Sequence, residues 1–301
     1  MRSLKSGMNI KQVIFIIGPT AIGKTKISIK LAKALKTEII SCDSRQFYKE
    51  LVIGSAPPNK NELAEVKHHF IHNLSVTDTY NAGRFEIDAI KKINKIHKKN
   101  NTVIIVGGSG LYIDAICKGF DQIPTISTSI RNMLNNKFKE RGISWLQNKV
   151  KKIDPEFYLI CDKNNPQRLL RAVEIFYETG KSLTSFKTQT HKIRNFNIIK
   201  IGLNMKRDQL YDRINSRVDS MLERGLIDEV YSLLPYQHCN ALQTVGYKEI
   251  FEFINNEVML KTAINNIKRN TRRFAKRQLT WFKKDPDIKW FNPNQINKIK
   301  V

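Results

Sequence analysis

The sequence predicts an α/β protein: a parallel sheet flanked by helices, with a mostly helical insertion between two stretches of sheet-forming chain. Three observations point there. Short, continuous apolar runs recur with amphipathic stretches between them, the pattern of parallel strands buried on both faces. The first and third of these runs break into glycine-rich turns, and the second into Asp43 and Ser44. Between about Asp121 and Asn195 the strand-like runs vanish, and helical stretches with polar loops replace them. The expected organisation is therefore a catalytic core from 9–120 and 196–301, ending in helices, and a helical insertion domain over 121–195.

The elements follow in order. KQVIFIIG, from Lys11, reads as a buried strand. KTKISIKLAKAL, from Lys24, carries Ile27, Ile29, Leu31, Ala32 and Leu35 near helical spacing. TEIISCDS, from Thr37, is a second short strand whose final Asp43 and Ser44 suit a turn. Residues 81–99 form an amphipathic helix with Phe85, Ile87, Ile90, Ile93 and Ile96 on the apolar side. NTVIIVGGSGLY, from Asn101, is a third strand breaking at Gly107, Gly108 and Gly110. FNIIKIGLNM, from Phe196, returns to strand character, and the chain from Lys206 is helical again, with no internal repeat.

Length and composition set bounds. The 301 residues suffice for one large or two modest domains, and the 41 % apolar and 26 % charged content is ordinary for a globular protein. The sign of the charge is not ordinary: 52 Lys and Arg oppose 27 Asp and Glu, a formal net charge of +25. Such a field draws polyanions, nucleic acid first among them. A genome rich in Lys and Asn codons would give runs such as Lys98–Asn101 without any such partner. Cys42, Cys117, Cys161 and Cys239 are far apart with no C-x-x-C pair, which argues against a zinc site or a disulfide framework and fits a reducing cytoplasm. No apolar run approaches the roughly 20 residues that span a bilayer, and the N-terminus has no signal-peptide core, so a cytoplasmic protein without membrane association is expected.

The most specific local signal is GPTAIGKT, Gly18, Pro19, Thr20, Ala21, Ile22, Gly23, Lys24 and Thr25, set between a strand and a helix. Glycines at both ends let backbone N–H groups point inward, and the helix N-terminus adds partial positive charge. Lys24 can reach an outer phosphate, and the Thr25 hydroxyl can hold Mg2+. In an open parallel sheet, ligands collect at the carboxyl ends of the strands. The segments 18–25, 43–46 and 107–110 are then expected to meet at one crevice. Asp43 beside the phosphate site can bind Mg2+ through water, take a proton from a nucleophile, or merely cap the following chain. Ser109 offers a hydroxyl in a glycine-rich loop, or is an ordinary turn serine.

Several stretches together resemble the tRNA dimethylallyltransferases, also called tRNA isopentenyltransferases. They are GPTAIGKT; SCDSRQFYKELVIGSAPP from Ser41; HHFIHNLSVTDTYNAGRF from His68; VGGSGLYIDAICKG from Val106; IDPEF from Ile153; NPQRLLRAVEIFYETGKSLT from Asn165; TVGYKEI from Thr244; and RNTRRFAKRQLTWFKKD from Arg269. Singly most are weak, but in this order they span about Val13 to Lys284. The resemblance implies a P-loop NTPase-like fold whose loop holds the diphosphate of dimethylallyl diphosphate. The N6 amine of adenosine 37, in tRNAs reading codons that begin with U, attacks the allylic carbon, and diphosphate leaves. Lys24, the loop amides and Mg2+ would stabilise the departing charge, Asp43 would act as the base, and Ser109 would lie next to the flipped nucleotide. By the same resemblance the tRNA anticodon stem-loop is touched by Asp43, Ser44, Arg45 and Gln46; by Ser109 and Arg131; by Gln167, Arg168, Leu169, Leu170 and Arg171; and by Gln243, Thr244, Val245, Gly246, Tyr247 and Lys248.

Other readings stay beside these. The arginines of QRLLR could instead form salt bridges to Glu174 or Glu178. Arg213 and Arg217, one helical turn apart, could face the diphosphate, the tRNA backbone or solvent. Arg269, Arg272, Arg273, Lys276 and Arg277 form a basic stripe suited to phosphates, above an underside expected to hold Phe274, Leu279 and Trp281. His68 and His72 are spaced as metal ligands on a helix, but HHFIH lies in a family stretch and reads as structural. Ser109 and Ser55 stand where the family more often has Thr, and Pro57 where it often has Lys. No zinc-finger-type extension follows Trp281, which fits the bacterial type, and a monomer is expected. The competing activities are an adenylate isopentenyltransferase, a P-loop kinase of a small metabolite, and a non-catalytic RNA-binding protein. The basic charge and QRLLR oppose the first, and intact Lys24, Thr25 and Asp43 oppose the last.

Overall fold

The structure, a computed structural model, describes residues 10–121, 123–188 and 191–298. Residue 9 and residues 299–301 of the expected core, and residues 122, 189 and 190 of the expected insertion, lie outside the described residues. The chain divides into two compact units, one of residues 1–118 and 193–301 and the other of residues 119–192.

In the first unit the elements run β1 (Gln12–Ile17), α1 (Lys24–Ala34), β2 (Ile39–Cys42), α2 (Lys60–Glu65), β3 (His68–His69), α3 (Ala82–Ile96), β4 (Thr102–Gly107) and α4 (Gly110–Lys118). The second unit supplies α5 (Thr128–Ile153), α6 (Pro155–Ile160) and α7 (Pro166–Thr179). The first unit resumes with β5 (Asn197–Leu203), α8 (Arg207–Glu223), α9 (Leu226–Ser232), α10 (Tyr247–Ile254), α11 (Leu260–Phe282) and β6 (Ile288–Phe291). Six strands form one parallel sheet in the order β3-β2-β4-β1-β5-β6. The parallel α/β sheet with flanking helices is the architecture expected from the apolar runs, and β1 shows why. Val13, Phe15 and Ile17 point into one apolar cluster, and Ile14 and Ile16 into another on the opposite face. All five are buried, so a strand with no polar alternation is what burial on both faces selects.

Register brings the predicted loops together. Ile17 pairs with Gly107, and Cys42 pairs with Gly107 from the other side. The chain therefore leaves β1, β2 and β4 at one edge of the sheet, toward Gly18, Asp43 and Gly108.

The structure corrects three expectations. β6 is a strand parallel to β5, where the sequence after Lys206 read as helical throughout; its IKWF core is only four residues, of which Ile288 alone is buried. Ile87 is 64 % exposed rather than on the apolar side of α3, whose buried residues are Ala82, Phe85, Glu86, Ala89, Ile93 and Ile96. The underside of α11 is Ala263, Ile267, Ala275, Gln278 and Phe282, with the expected Leu279 packed half-buried against the core, whereas Phe274 and Trp281 are exposed. The metal-ligand alternative set aside for HHFIH finds no geometry either: His68 lies in β3 and His72 sits beyond it at φ 49°, so they share no helix face. Among the described residues no group of three or more His, Cys, Asp and Glu could hold a metal ion.

The second unit has its own core of Leu134, Leu146, Val150, Phe157, Leu169, Ala172, Val173 and Ile175. Asp154 ends α5 and caps α6 by accepting from Phe157 N, and it also accepts from Thr184 N and Oγ1. Cys42, Cys117, Cys161 and Cys239 are free thiols. Among the described residues no helix is long and apolar enough to cross a membrane.

Candidate active site

The loop of residues 18–23 wraps the N-terminus of α1. Gly23 caps the helix at φ 97°, a left-handed conformation that glycine adopts without the Cβ penalty. Lys24 and Thr25 are the first two helical residues, so their amides face the cleft with no intrahelical partner. Lys24 Nζ folds back and donates to the carbonyls of Gly18 (3.0 Å) and Pro19 (2.7 Å). Burial pushes its ammonium down to about 8 from 10.5; the Asp43 charge opposes that shift and Arg217 adds to it. Pro19 and Ile22 are buried, Ile22 in the core, so only part of the motif presents side chains to the cleft.

A cleft of about 420 Å3 opens over this loop, lined by Thr20, Lys24, Thr25, Lys26, Asp43, Glu62, Arg217 and Arg224 among others. A second cavity of about 190 Å3 adjoins it, with a more apolar wall of Val218, Met221, Val245, Ile267 and Phe274, and with Ser44, Arg45 and Ser109. Thr20, Asp43, Ser55, Ala56, Arg217, Met221 and Phe274 line both. Asp43 thus borders a cationic compartment and an apolar one at once.

The turn bearing Asp43 is tightly held. Asp43 Oδ1 accepts from Arg45 N at 3.0 Å, and Ser44 N donates to Ser109 Oγ at 3.1 Å. Arg45 donates through one Nη to the carbonyls of Asn240 and Ala241. Gln46 accepts from Ser41 Oγ and donates to Ala56 O. Below, Phe47 is fully buried and stacks on Phe85 at 5.4 Å, with Tyr112 and Tyr80 against it. The arginine and glutamine side chains therefore brace the turn, which leaves Asp43 as its chemically reactive group.

Arg217 donates from Nη1 to Thr20 Oγ1 at 3.5 Å and lines both compartments, while Arg213 lies beside Gly23. Burial pushes the Arg217 guanidinium below its usual range, as does Arg213, with Asp43 opposing. Arg217 of α8 therefore faces the loop, while Arg213 combines its place beside Gly23 with an exposed side chain.

Thr244, Val245, Gly246 and Tyr247 line the smaller cavity, with Gln243 and Lys248 exposed beside them. The Tyr247 ring is fully buried and its hydroxyl donates to Glu229 at 2.6 Å, so it supports the wall. In the second unit, Gln167 and Arg168 are exposed on α7, whereas Leu169 is fully buried in the core and its side chain has no surface for RNA. Leu170 is half-buried. Arg131 and Arg171 both pair with Glu174, at 3.2 and 3.4 Å. On α11, Arg269, Arg273, Lys276 and Arg277 are exposed, while Arg272 donates to Asn215.

Two residues escaped the sequence reading. Glu229 accepts from the amides of Val52, Ile53 and Gly54 and from Tyr247, fixing the 52–56 loop that lines both compartments. Nothing in its local sequence marks it. Gln278 is buried between the two glycine-rich loops; its only signal is an amide on the apolar side of α11.

A family model described as IPP transferase matches residues 46–285. The chain is 54 % identical to a tRNA dimethylallyltransferase of Christiangramia forsetii, over 95 % of each chain. It belongs to the IPP transferase family. Another member, tRNA dimethylallyltransferase 1 of Phocaeicola vulgatus, is 46 % identical over 95 % of this chain and 96 % of that protein. Among solved structures of the family, the tRNA isopentenylpyrophosphate transferase of Bacillus halodurans superposes with a TM-score of 0.70 at 38 % identity, over 96 % of this chain and 94 % of that one. A eukaryotic dimethylallyltransferase, described as acting on tRNA, gives 0.78 at 27 % identity, over 96 % and 75 %.

Proposed function

We propose that this protein transfers the dimethylallyl group of dimethylallyl diphosphate to N6 of adenosine 37 in the anticodon stem-loop of tRNAs that read codons beginning with U. The observation that carries the reading is the place of Asp43 in the wall common to a cationic and an apolar compartment. The diphosphate lies over the α1 N-terminus, where Lys24, Lys26, Arg217 and Arg224 gather. The allyl group and a flipped purine occupy the apolar cavity, against Val218, Met221, Val245 and Phe274. The N6 lone pair forms a bond to the allylic carbon, the carbon–oxygen bond breaks, and its electron pair leaves with diphosphate. The N6 proton passes to the Asp43 carboxylate, whose Oδ1 is oriented by Arg45 N. Lys24 and the amides of residues 23–25 hold the departing charge. Ser109 keeps the turn in place through Ser44 N.

Mg2+ fits this donor set. The Thr25 hydroxyl and the Asp43 carboxylate line the same cleft, and oxygen ligands with few protein contacts suit a hard cation held mainly by phosphates and water. When bound, it supplies further neutralisation of the diphosphate.

Incubation with dimethylallyl diphosphate and unmodified tRNA, followed by nuclease digestion and mass spectrometry, should reveal N6-dimethylallyladenosine. Parallel reactions with AMP, and with ATP and candidate alcohols, should yield no product. Prenyl transfer to AMP but not to tRNA overturns the reading.

A further inference from the structure

Gln278 joins the two loops that build the site. Its Oε1 accepts from Thr20 N at 2.9 Å, and its Nε2 donates to Gly108 O at 2.9 Å. It lies on the buried side of α11 at 7 % exposure and lines the cationic cleft. A side-chain amide satisfies an N–H and a carbonyl together without any change of charge or protonation. Position 108 is shaped to receive it: a Cβ there would stand 2.3 Å from Gln278 Nε2. Next in the chain is Ser109, whose Oγ accepts from Ser44 N beside Asp43. One unbroken series of contacts therefore runs from the phosphate loop through Gln278 and Ser109 to the turn bearing Asp43.

We infer that Gln278 is a positioning residue for prenyl transfer, holding the phosphate loop and the Asp43 turn in mutual register so that the diphosphate of the donor and the amine of the acceptor are held in line with each other. The inference rests on the transfer activity proposed above. It assigns two separable consequences to one side chain. The bond to Thr20 shapes the loop that receives the diphosphate. The bond to Gly108 sets Ser109 and hence the base.

The test uses Gln278→Met, which keeps the length and lacks both hydrogen bonds, and Gly108→Ala, which displaces the amide. Calorimetric titration with inorganic diphosphate reads the loop whether or not prenyl transfer occurs. Both variants should bind diphosphate about tenfold more weakly than the parent. Under saturating tRNA and dimethylallyl diphosphate, both should also show kcat reduced about tenfold or more. The fall with Gln278→Met should be largely absent in a Ser109→Ala background, since the two act through one loop. The double variant Gln278→Ala, Gly108→Ala removes the clash but not the missing bridge, and it should stay impaired. Diphosphate affinity within about twofold of the parent in Gln278→Met overturns the inference, as does recovery in the double variant or full additivity with Ser109→Ala. If the parent makes no prenylated tRNA, the transfer reading fails while the diphosphate titration still decides the role of the bridge.

Discussion

Charged side chains are held differently in the two units. In the first, Lys24 is half-buried against its own loop carbonyls, Arg217 is half-buried beside Thr20, and Arg45 is held by the Asn240 and Ala241 carbonyls. These groups are held in place by short-range hydrogen bonds and gathered at the ends of three parallel strands. In the second unit, Arg131 and Arg171 sit at the surface and share a single carboxylate, Glu174. Charges pinned at the mouth of one crevice suit a reaction in which charge moves over a few ångströms. Half-exposed arginines on a helix suit a polyanion whose grip is additive and weakened by salt. Substitutions in the first unit should therefore act on turnover and donor binding, and those in the second on tRNA affinity.

The largest effect is expected at Asp43. Asp43→Ala should lower kcat by about 10²–10⁴ in single-turnover prenyl transfer, with tRNA affinity nearly intact. A loss under about threefold would remove Asp43 as the base and erase the distinction between the units.

Next is Lys24. Lys24→Ala should weaken dimethylallyl diphosphate binding by about 10- to 100-fold, the worth of a hydrogen bond between charged groups. The parent protein should also show a pH dependence of donor binding. The Lys24 ammonium is lowered to about 8 by burial, so it is charged, and donor affinity is full, at pH below that value. Above it the lysine loses its proton, and affinity should fall by up to about tenfold per pH unit. Isothermal titration across pH 6.5–9.5 would read this limb, and Lys24→Ala should lack it. A limb that persists in the variant assigns the titration to another group.

The Glu229 carboxylate sharpens the comparison within the first unit. It fixes the 52–56 loop through three amides and Tyr247 without itself lining either compartment. Glu229→Gln should leave Asp43 chemistry in place yet raise the donor and tRNA KM values by about three- to tenfold, because a neutral amide cannot accept as strongly from four donors. Unaltered KM values with a lowered melting temperature would make Glu229 purely structural.

The physics of each region also decides what could be read from the sequence. Strands buried on both faces show as unbroken apolar runs, and a helix N-terminus that binds phosphate needs glycine at fixed spacing, so β1, β2, β4 and the 18–25 loop were legible. β6 was not: four residues at the edge of the sheet, with one of them fully inside, carry too little pattern. The position of Asp43 followed from the strand ends, because parallel strands must leave on one side. Gln278 and Glu229 were invisible for the opposite reason. Each works by meeting backbone groups from segments more than 150 residues away, and backbone groups leave no trace in composition. In α11 the basic stripe suggested which side faces out, but the apolar side was assigned to the large aromatics Phe274 and Trp281, when small Ala263 and Ala275 are what close packing requires there.

The smallest effects belong to the second unit, where they test how its arginines are used. Arg171→Ala should raise the tRNA KM by about three- to tenfold, leave kcat unchanged and make the plot of log affinity against log salt shallower by about one unit. Glu174→Gln should do the reverse in salt, since it removes the negative charge that Arg131 and Arg171 share and leaves both cations free for phosphate. The same change frees the arginines to wander, so discrimination between cognate and non-cognate anticodon stem-loops should narrow while affinity for bulk RNA rises slightly. Filter binding at several salt concentrations separates these outcomes. If both variants lose thermal stability and keep the parent salt slope, the Glu174 pairs serve the fold of their own unit, and the tRNA must find its cations elsewhere, on the exposed Arg269, Arg273, Lys276 and Arg277 of α11.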